Sequence, residues 1–247
     1  MMKKYACLLA IAVMASVMVV SNCGNSLVAN HDGDWNSGRI ALVERTDDGY
    51  NIAGTLYHND VATVNRPTWV AGMHDDFALN LNDGGVRTHI RFDPATIRTF
   101  RSITLSTWIF FRGGTSPGVV IFGISGFETG HYKLSINDEG VVGLNFVGGL
   151  YNEDVSCLSL RQFPQNQWAM ATATLNGQYL ILYINGEEVA KQRQTITLRD
   201  INPTLFRLGS SFWNNIPRLD ANLQMTSMWR RALTPEEILA MYNETKP

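Results

Sequence analysis

Cysteine is scarce in this chain, with three in 247 residues at positions 7, 23 and 157. Three cannot build a disulfide framework, and no spacing among them matches a zinc site. Charged residues are also few, at 17% with a formal net charge of −2. Nucleic-acid binding needs clustered Lys and Arg to neutralise phosphates, and the low charge with a pI near 6.2 argues against that partner. No HExxH string occurs, and His31, His58, His74, His89 and His131 show no paired spacing that puts two imidazoles on one face. They read as surface or loop histidines. What is present in quantity is apolar residue, 45% hydrophobic and 10% aromatic, which excludes disorder and indicates one folded domain or at most two small ones.

One long hydrophobic run occurs, from Tyr5 to Val20, preceded by Lys3 and Lys4. It falls short of the ~20 residues a membrane helix needs and reads as a secretion signal spanning residues 1–22. Cys23 follows directly, an arrangement that resembles a bacterial lipobox in which the cysteine becomes the lipidated first residue. Val20 and Ser21 fit that pattern, and Asn22 departs from the Gly, Ala or Ser usual before the cysteine. The expectation is a lipid anchor at Cys23, the alternative being simple secretion with a spare cysteine. Residues 23–38, polar and turn-rich, read as the lipidated N-terminus and tether, and 39–247 as the domain. The expected location is the bacterial cell envelope, facing the surface or the periplasm.

Beyond the tether, period-two runs bounded by turn residues dominate. Strands are predicted over 77–81, 86–92, 103–111, 119–124, 131–136, 141–146, 168–175, 179–184, 188–192, 205–208 and 219–229. So many strands in one domain make a sandwich or a barrel. Asn176-Gly177 and Asn185-Gly186 each suit a two-residue type I′ hairpin, so 168–192 reads as a three-stranded meander, and Asp138-Glu139-Gly140 suits a longer hairpin loop. Both faces of 179–184 are apolar, which predicts a central strand covered on both sides or one with an aromatic face near a surface groove. Thr234-Pro235-Glu236-Glu237 opens a helix, with Thr234 as N-cap, Pro235 at the first helical position and Glu237 closing a capping box. It runs to about Asn243 and is expected to lie over a sheet edge or loop. Cys157 lies in an alternating run with Val155 on its side and Ser156 and Leu158 on the other, and has no adjacent His or Lys, as a packed strand cysteine would.

Four stretches, FALNLNDG (77–84), SITLSTWIFF (102–111), QWAMATATLNGQYLILYINGEEVA (167–190) and ANLQMTSMWRRALTPEEILAMYN (221–243), carry a resemblance. In that order they resemble the laminin-G-like, or concanavalin-A-like, jelly-roll domains of bacterial surface proteins, over roughly residues 70–243. The resemblance implies an all-β, two-sheet antiparallel β-sandwich with a short C-terminal helix, used mostly for glycan or protein binding and seldom for catalysis. Some members hold a structural calcium through an aspartate of the first motif and one near the start of the last. The first position falls on Asn82 or Asp83, which makes Asp83 the candidate ligand. The second is Gln224, and replacing a carboxylate by an amide weakens the hold on a hard dication, so no cofactor is expected.

Asp32, Asp34, Asn36, Gly38 and Glu44 resemble a calcium loop with one inserted residue, but without flanking helices they read as a solvated turn. Glucanases of this fold carry ExDxE or ExDxxE on one strand, which sets two carboxyl groups about 5 Å apart, and no such string exists here. The chain is therefore expected not to be an enzyme. For sugar binding the candidates are loop aromatics with amide neighbours: Phe212, Trp213, Asn214 and Asn215 first, then Tyr151 and Asn152. Trp108, Trp168 and Trp229 fall in motif strands and read as core or sheet-face residues. Carbohydrate or glycoprotein is the expected partner. An envelope protein without a sugar site is the alternative.

Overall fold

A computed structural model of the chain describes residues 34–46, 49–58, 61–62, 68–83, 86–113, 119–137, 143–150, 153–210 and 219–247. The leader, Cys23, His31, Asp32 and the Asp138-Glu139-Gly140 hairpin lie outside the described residues. The strands in chain order are β1 (Arg39–Thr46), β2 (Gly49–Ile52), β3 (Thr55–His58), β4 (Val61–Ala62), β5 (Trp69–Ala71) and β6 (Phe77–Asn80). Next come β7 (Asn82–Asp83), β8 (Val86–Phe92), β9 (Ile103–Phe111), β10 (Val119–Ser125), β11 (Gly130–Asn137) and β12 (Gly143–Leu150). The last six are β13 (Val155–Gln162), β14 (Trp168–Leu175), β15 (Tyr179–Ile184), β16 (Glu187–Arg193), β17 (Leu205–Leu208) and β18 (Ala221–Trp229). Two α-helices accompany them, α1 (Leu198–Ile201) and α2 (Pro235–Thr245).

These strands make two antiparallel nine-stranded sheets. The first runs β16-β15-β14-β9-β18-β1-β2, with β6 also on β18 and β5 on β6. The second runs β13-β12-β11-β10-β17-β8-β3-β4, with β7 on β8. The expected sandwich is what forms, because alternate positions of both sheets are apolar and must face one another. Leu105, Ile109, Leu180, Leu182 and Leu223 of the first sheet meet Ile90, Phe122, Leu134, Phe146 and Phe206 of the second in one buried cluster.

The meander is present, β14 pairing with β15 and β15 with β16. At Asn185-Gly186 both turn residues have positive φ, 52° and 82°, as a type I′ turn requires. The other turn sits one residue later than expected. Leu175 pairs with Leu180, so Gly177 and Gln178 are its central residues, and of these Gly177 alone is left-handed, at 83°. The Asn176 side chain accepts from the backbone N–H of Gln178 and Tyr179, at 2.9 and 2.8 Å. That Asx geometry holds Asn176 in the ladder and shifts the reversal onto the glycine.

The α2 capping box also forms, Thr234 Oγ1 accepting from Glu237 N–H at 3.2 Å and Glu237 Oε2 accepting from Thr234 N–H at 2.8 Å. Instead of capping an edge or loop, α2 lies on the outer face of the first sheet. Ile238 and Met241 pack there on Trp108, Met170, Ile181, Tyr183 and Trp229, a second apolar cluster distinct from the inner core. Three buried indole N–H groups find acceptors: Trp108 on Thr245 Oγ1 at 3.0 Å, Trp35 on Glu244 at 2.8 Å, and Trp229 on the Trp35 carbonyl at 2.7 Å. Trp35 is 7% exposed, so the packed domain includes residues 34–38, which the sequence assigns to the tether. A short polar stretch gives no sign that its single tryptophan reaches a helix some 200 residues away.

Candidate functional site

Of the residues proposed for sugar contact, Phe212, Trp213, Asn214 and Asn215 fall between β17 and β18, and Tyr151 and Asn152 between β12 and β13. All six lie outside the described residues. Asp83 pairs through its backbone with Val86 in the β7–β8 ladder. Asn82, the alternative position, donates its amide to Asp220 Oδ2 at 2.9 Å, and Arg112 occupies Asp220 Oδ1 at 2.8 Å. Arg112 donates to Asn222 as well. The acceptors gathered here are thus met by a guanidinium and an amide.

Gln224 has a different task. Its Oε1 accepts from Met73 N–H at 2.8 Å and its Nε2 donates to Met73 O at 3.4 Å, fastening the tight 72–76 turn against β18. A Cβ on Gly72 would come within 2.5 Å of that amide oxygen, so the turn closes onto the glutamine through a glycine. Among the described residues no group of three or more His, Cys, Asp and Glu side chains could hold a metal ion. The Asn82 and Gln224 amides are engaged within the protein, and amides suit a hard dication less well than carboxylates.

Cys157 is the packed strand residue the alternation predicts. It is 2% exposed, its thiol donates to the Leu180 carbonyl at 3.5 Å, and burial pushes its pKa up to about 12. A thiol so hard to ionise makes a poor nucleophile. The histidines differ from expectation. His74 sits in the 72–76 turn, but His89 and His131 lie on strands and are 0% and 5% exposed. Both hold the outward phase of an alternating strand, a position the sequence shows without saying what covers it.

That outward phase belongs to the outer face of the second sheet. In β11, Tyr132, Leu134 and Ile136 face the core while His131, Lys133 and Ser135 face out. Pairing sets Arg91 opposite Arg207, Arg207 opposite Gly123, Gly123 opposite Lys133, and Lys133 opposite Val147. One transverse row therefore carries three cationic side chains, with a glycine between the second and third. Adjacent strands are about 4.8 Å apart, so Arg207 and Lys133 flank a gap roughly one side chain wide above Gly123. Arg91 Nε donates to His89 Nε2 at 3.3 Å, and His131 Nε2 stands 3.3 Å from Asp154. Burial lowers the pKa of His131, with Asp154 opposing and Lys133 reinforcing the shift. Burial likewise lowers that of Lys133, against the pull of Asp154. On the neighbouring strands Ser156 Oγ donates to Asn145 Oδ1 at 2.9 Å. Arg91, Lys133, Asn145 and Arg207 are half-buried and Ser156 is exposed, whereas His89, His131 and Ser135 are buried, so the groups this face can offer a sugar are cationic, amide and hydroxyl.

The sequence profile described as the Concanavalin A-like lectin/glucanases superfamily matches residues 83–239. The chain belongs to that superfamily. Human pappalysin-1 is 26% identical over 182 residues, covering 66% of this chain and 11% of its own, so this chain spans about a ninth of that relative. Among solved structures, the concanavalin A-like fold here is similar to domain 4 of AbnA, a GH43 extracellular arabinanase from Geobacillus stearothermophilus, solved in complex with arabinotriose. The TM-score is 0.57 at 20% identity, over 83% of this chain and 87% of that one. It is also similar to a botulinum neurotoxin type C structure whose subject is cell entry through two ganglioside molecules, with TM-score 0.62 and 14% identity over 86% of this chain and 52% of that one. A third is the binding domain of botulinum neurotoxin DC in complex with SialylT, with TM-score 0.60 and 13% identity over 85% and 51% of the two chains. At such identities the likeness is one of fold.

Proposed function

We propose that this protein is a non-catalytic binding module of the bacterial cell envelope, anchored through a lipid on Cys23, that recognises carbohydrate or a glycoconjugate. The observation that carries the reading is the outer face of the second sheet, where the half-buried Arg91, Arg207 and Lys133 share one row with Asn145 close by. The neighbours crystallised with arabinotriose and with SialylT support it by analogy of fold. The absence of an ExDxE or ExDxxE string supports binding without hydrolysis. A glycan array with protein lacking residues 1–23 tests it, repeated with Lys133→Ala and Trp213→Ala. Signal on defined glycans that falls in one of these variants is expected, and silence across the array would sink the reading. Mass spectrometry of the native protein tests the anchor, since an unmodified Cys23 in the mature chain would remove it.

A second reading, an envelope protein that binds protein and no sugar, draws on β13. Leu158 and Leu160 are 42% and 82% exposed on this edge strand, an apolar strip suited to a protein partner.

A further inference from the structure

Three arginines from distant parts of the chain meet at one end of the sandwich. Thr99, Arg101, Ser102, Arg199 and Arg230 line an open cleft of about 530 Å³, within the usual range of ligand sites. Arg101 and Ser102 lead into β9, Arg230 follows β18, and Arg199 stands on α1. The pairing of Thr104 with Trp229 brings the first two segments level. The Arg199 backbone N–H donates to the Phe100 carbonyl at 3.1 Å and fixes α1 beside them. The Arg230 guanidinium lies over the Phe100 ring, 5.3 Å from its centre. The Asp200 carboxylate, adjacent in sequence, is engaged by Thr197 N–H and Oγ1 at 2.8 and 2.7 Å.

The contrast with other arginines is informative. Arg112, Arg161 and Arg231 each pair with a carboxylate, on Asp220, Glu187 and Glu237. Arg101, Arg199 and Arg230 make no ion pair among the described residues, and no carboxylate is among the residues lining their cleft. Bringing three like charges together opposes folding, and the chain as a whole is acidic, at −2, so general basicity does not account for the cluster. A guanidinium fork matches the paired oxygens of a carboxylate or sulfate, and the Thr99 and Ser102 hydroxyls can bond ring hydroxyls beside it.

We infer that this cleft is a second binding site, for the sulfate or carboxylate groups of an acidic saccharide. The choice of a saccharide over another anion rests on the proposed function. The test is titration calorimetry of the protein lacking residues 1–23 with a sulfated glucosamine–uronate oligosaccharide, an oligogalacturonate, a neutral gluco-oligosaccharide and inorganic sulfate. Wild type is compared with Arg101→Gln/Arg199→Gln/Arg230→Gln and with Arg199→Gln alone. All three side chains are exposed, so the melting temperature should hold and show the variants folded. Expected are binding of one or both acidic oligosaccharides that weakens as salt is raised, a loss of tenfold or more in the triple variant and a smaller loss in Arg199→Gln. Acidic saccharide binding unchanged in the triple variant would overturn the site. So would inorganic sulfate binding as tightly as the oligosaccharides, by reducing it to a bare anion hole. Neutral glycans binding while acidic ones do not would end this inference and leave the proposed function standing. Acidic binding lost in the triple variant but untouched by Lys133→Ala would uphold the inference and move the sugar site away from the second sheet.

Discussion

On the outer face of the first sheet Trp108, Tyr183 and Trp229 lie beneath α2, whereas on the outer face of the second Arg91, Arg207 and Lys133 share one row, with Gly123 between the last two. The two faces have the same strand pleat and the same partner behind them, so the difference comes from the outward residues. Where these are large and apolar, the chain folds its own helix over them and the hydrophobic effect seals the surface. Where they are cationic and half-buried, Arg91 stands directly opposite Arg207 and the surface stays polar. One outer face is thus apolar and covered by α2, and the other carries a row of cations.

If the first face is held by its packing, Trp229→Ala should cost about 3–5 kcal/mol in urea unfolding, since a fully buried indole leaves a cavity and orphans its acceptor. A loss below about 1 kcal/mol would mean that α2 contributes little. Glu237→Gln should cost about 2–3 kcal/mol, less than a fully broken buried pair. Arg231, its partner at 2.7 Å, keeps the Asp34 and Ser37 carbonyls as acceptors. Gly186→Ala should cost about 1–2 kcal/mol, because its φ is 82° and a new Cβ would lie 3.0 Å from Tyr242 on α2. On the second face Lys133→Met should change stability by no more than about 0.5 kcal/mol while lowering glycan signal, so that binding and folding separate at one residue.

The smallest expected effect is in pH dependence. Burial holds His131 below its ordinary 6.5, so near that pH the unfolded chain binds more protons than the folded one. Stability therefore rises with pH through this region and is lost progressively on acidification from about 6.5, partly offset by Asp154. In His131→Gln the difference in melting temperature between pH 7 and pH 5.5 should shrink, and an unchanged difference would assign the loss to other groups.

Local chemistry was legible in the sequence and distant contact was not. The 168–192 meander, the Asn185-Gly186 turn and the Thr234–Glu237 capping box each depend on residues a few positions apart, and each forms as read. The Asn176 turn shifted by one because an Asx side chain competed with the expected reversal. Trp35 looked like tether because its partners, Trp229 and Glu244, are close only in space. The candidate site was harder still. The period-two pattern predicted the strand that carries His131 and Lys133, but the row of Lys133 with Arg207 and Arg91 exists only once β11, β10, β17 and β8 are in register. The same holds for Arg101, Arg199 and Arg230, which show no clustering along the chain.

The position of β18 imposes an order on events in time. It lies between β9 and the β1–β2 pair, and among the described residues that pair joins the sheet only through β18. Until Ala221–Trp229 has been synthesised, the β1–β2 pair has no strand of the first sheet to join. The ladder then closes over almost two hundred residues of intervening chain, from Arg39 to Trp229, an entropically late step that favours slow folding. A nascent chain of this protein is therefore obliged to wait.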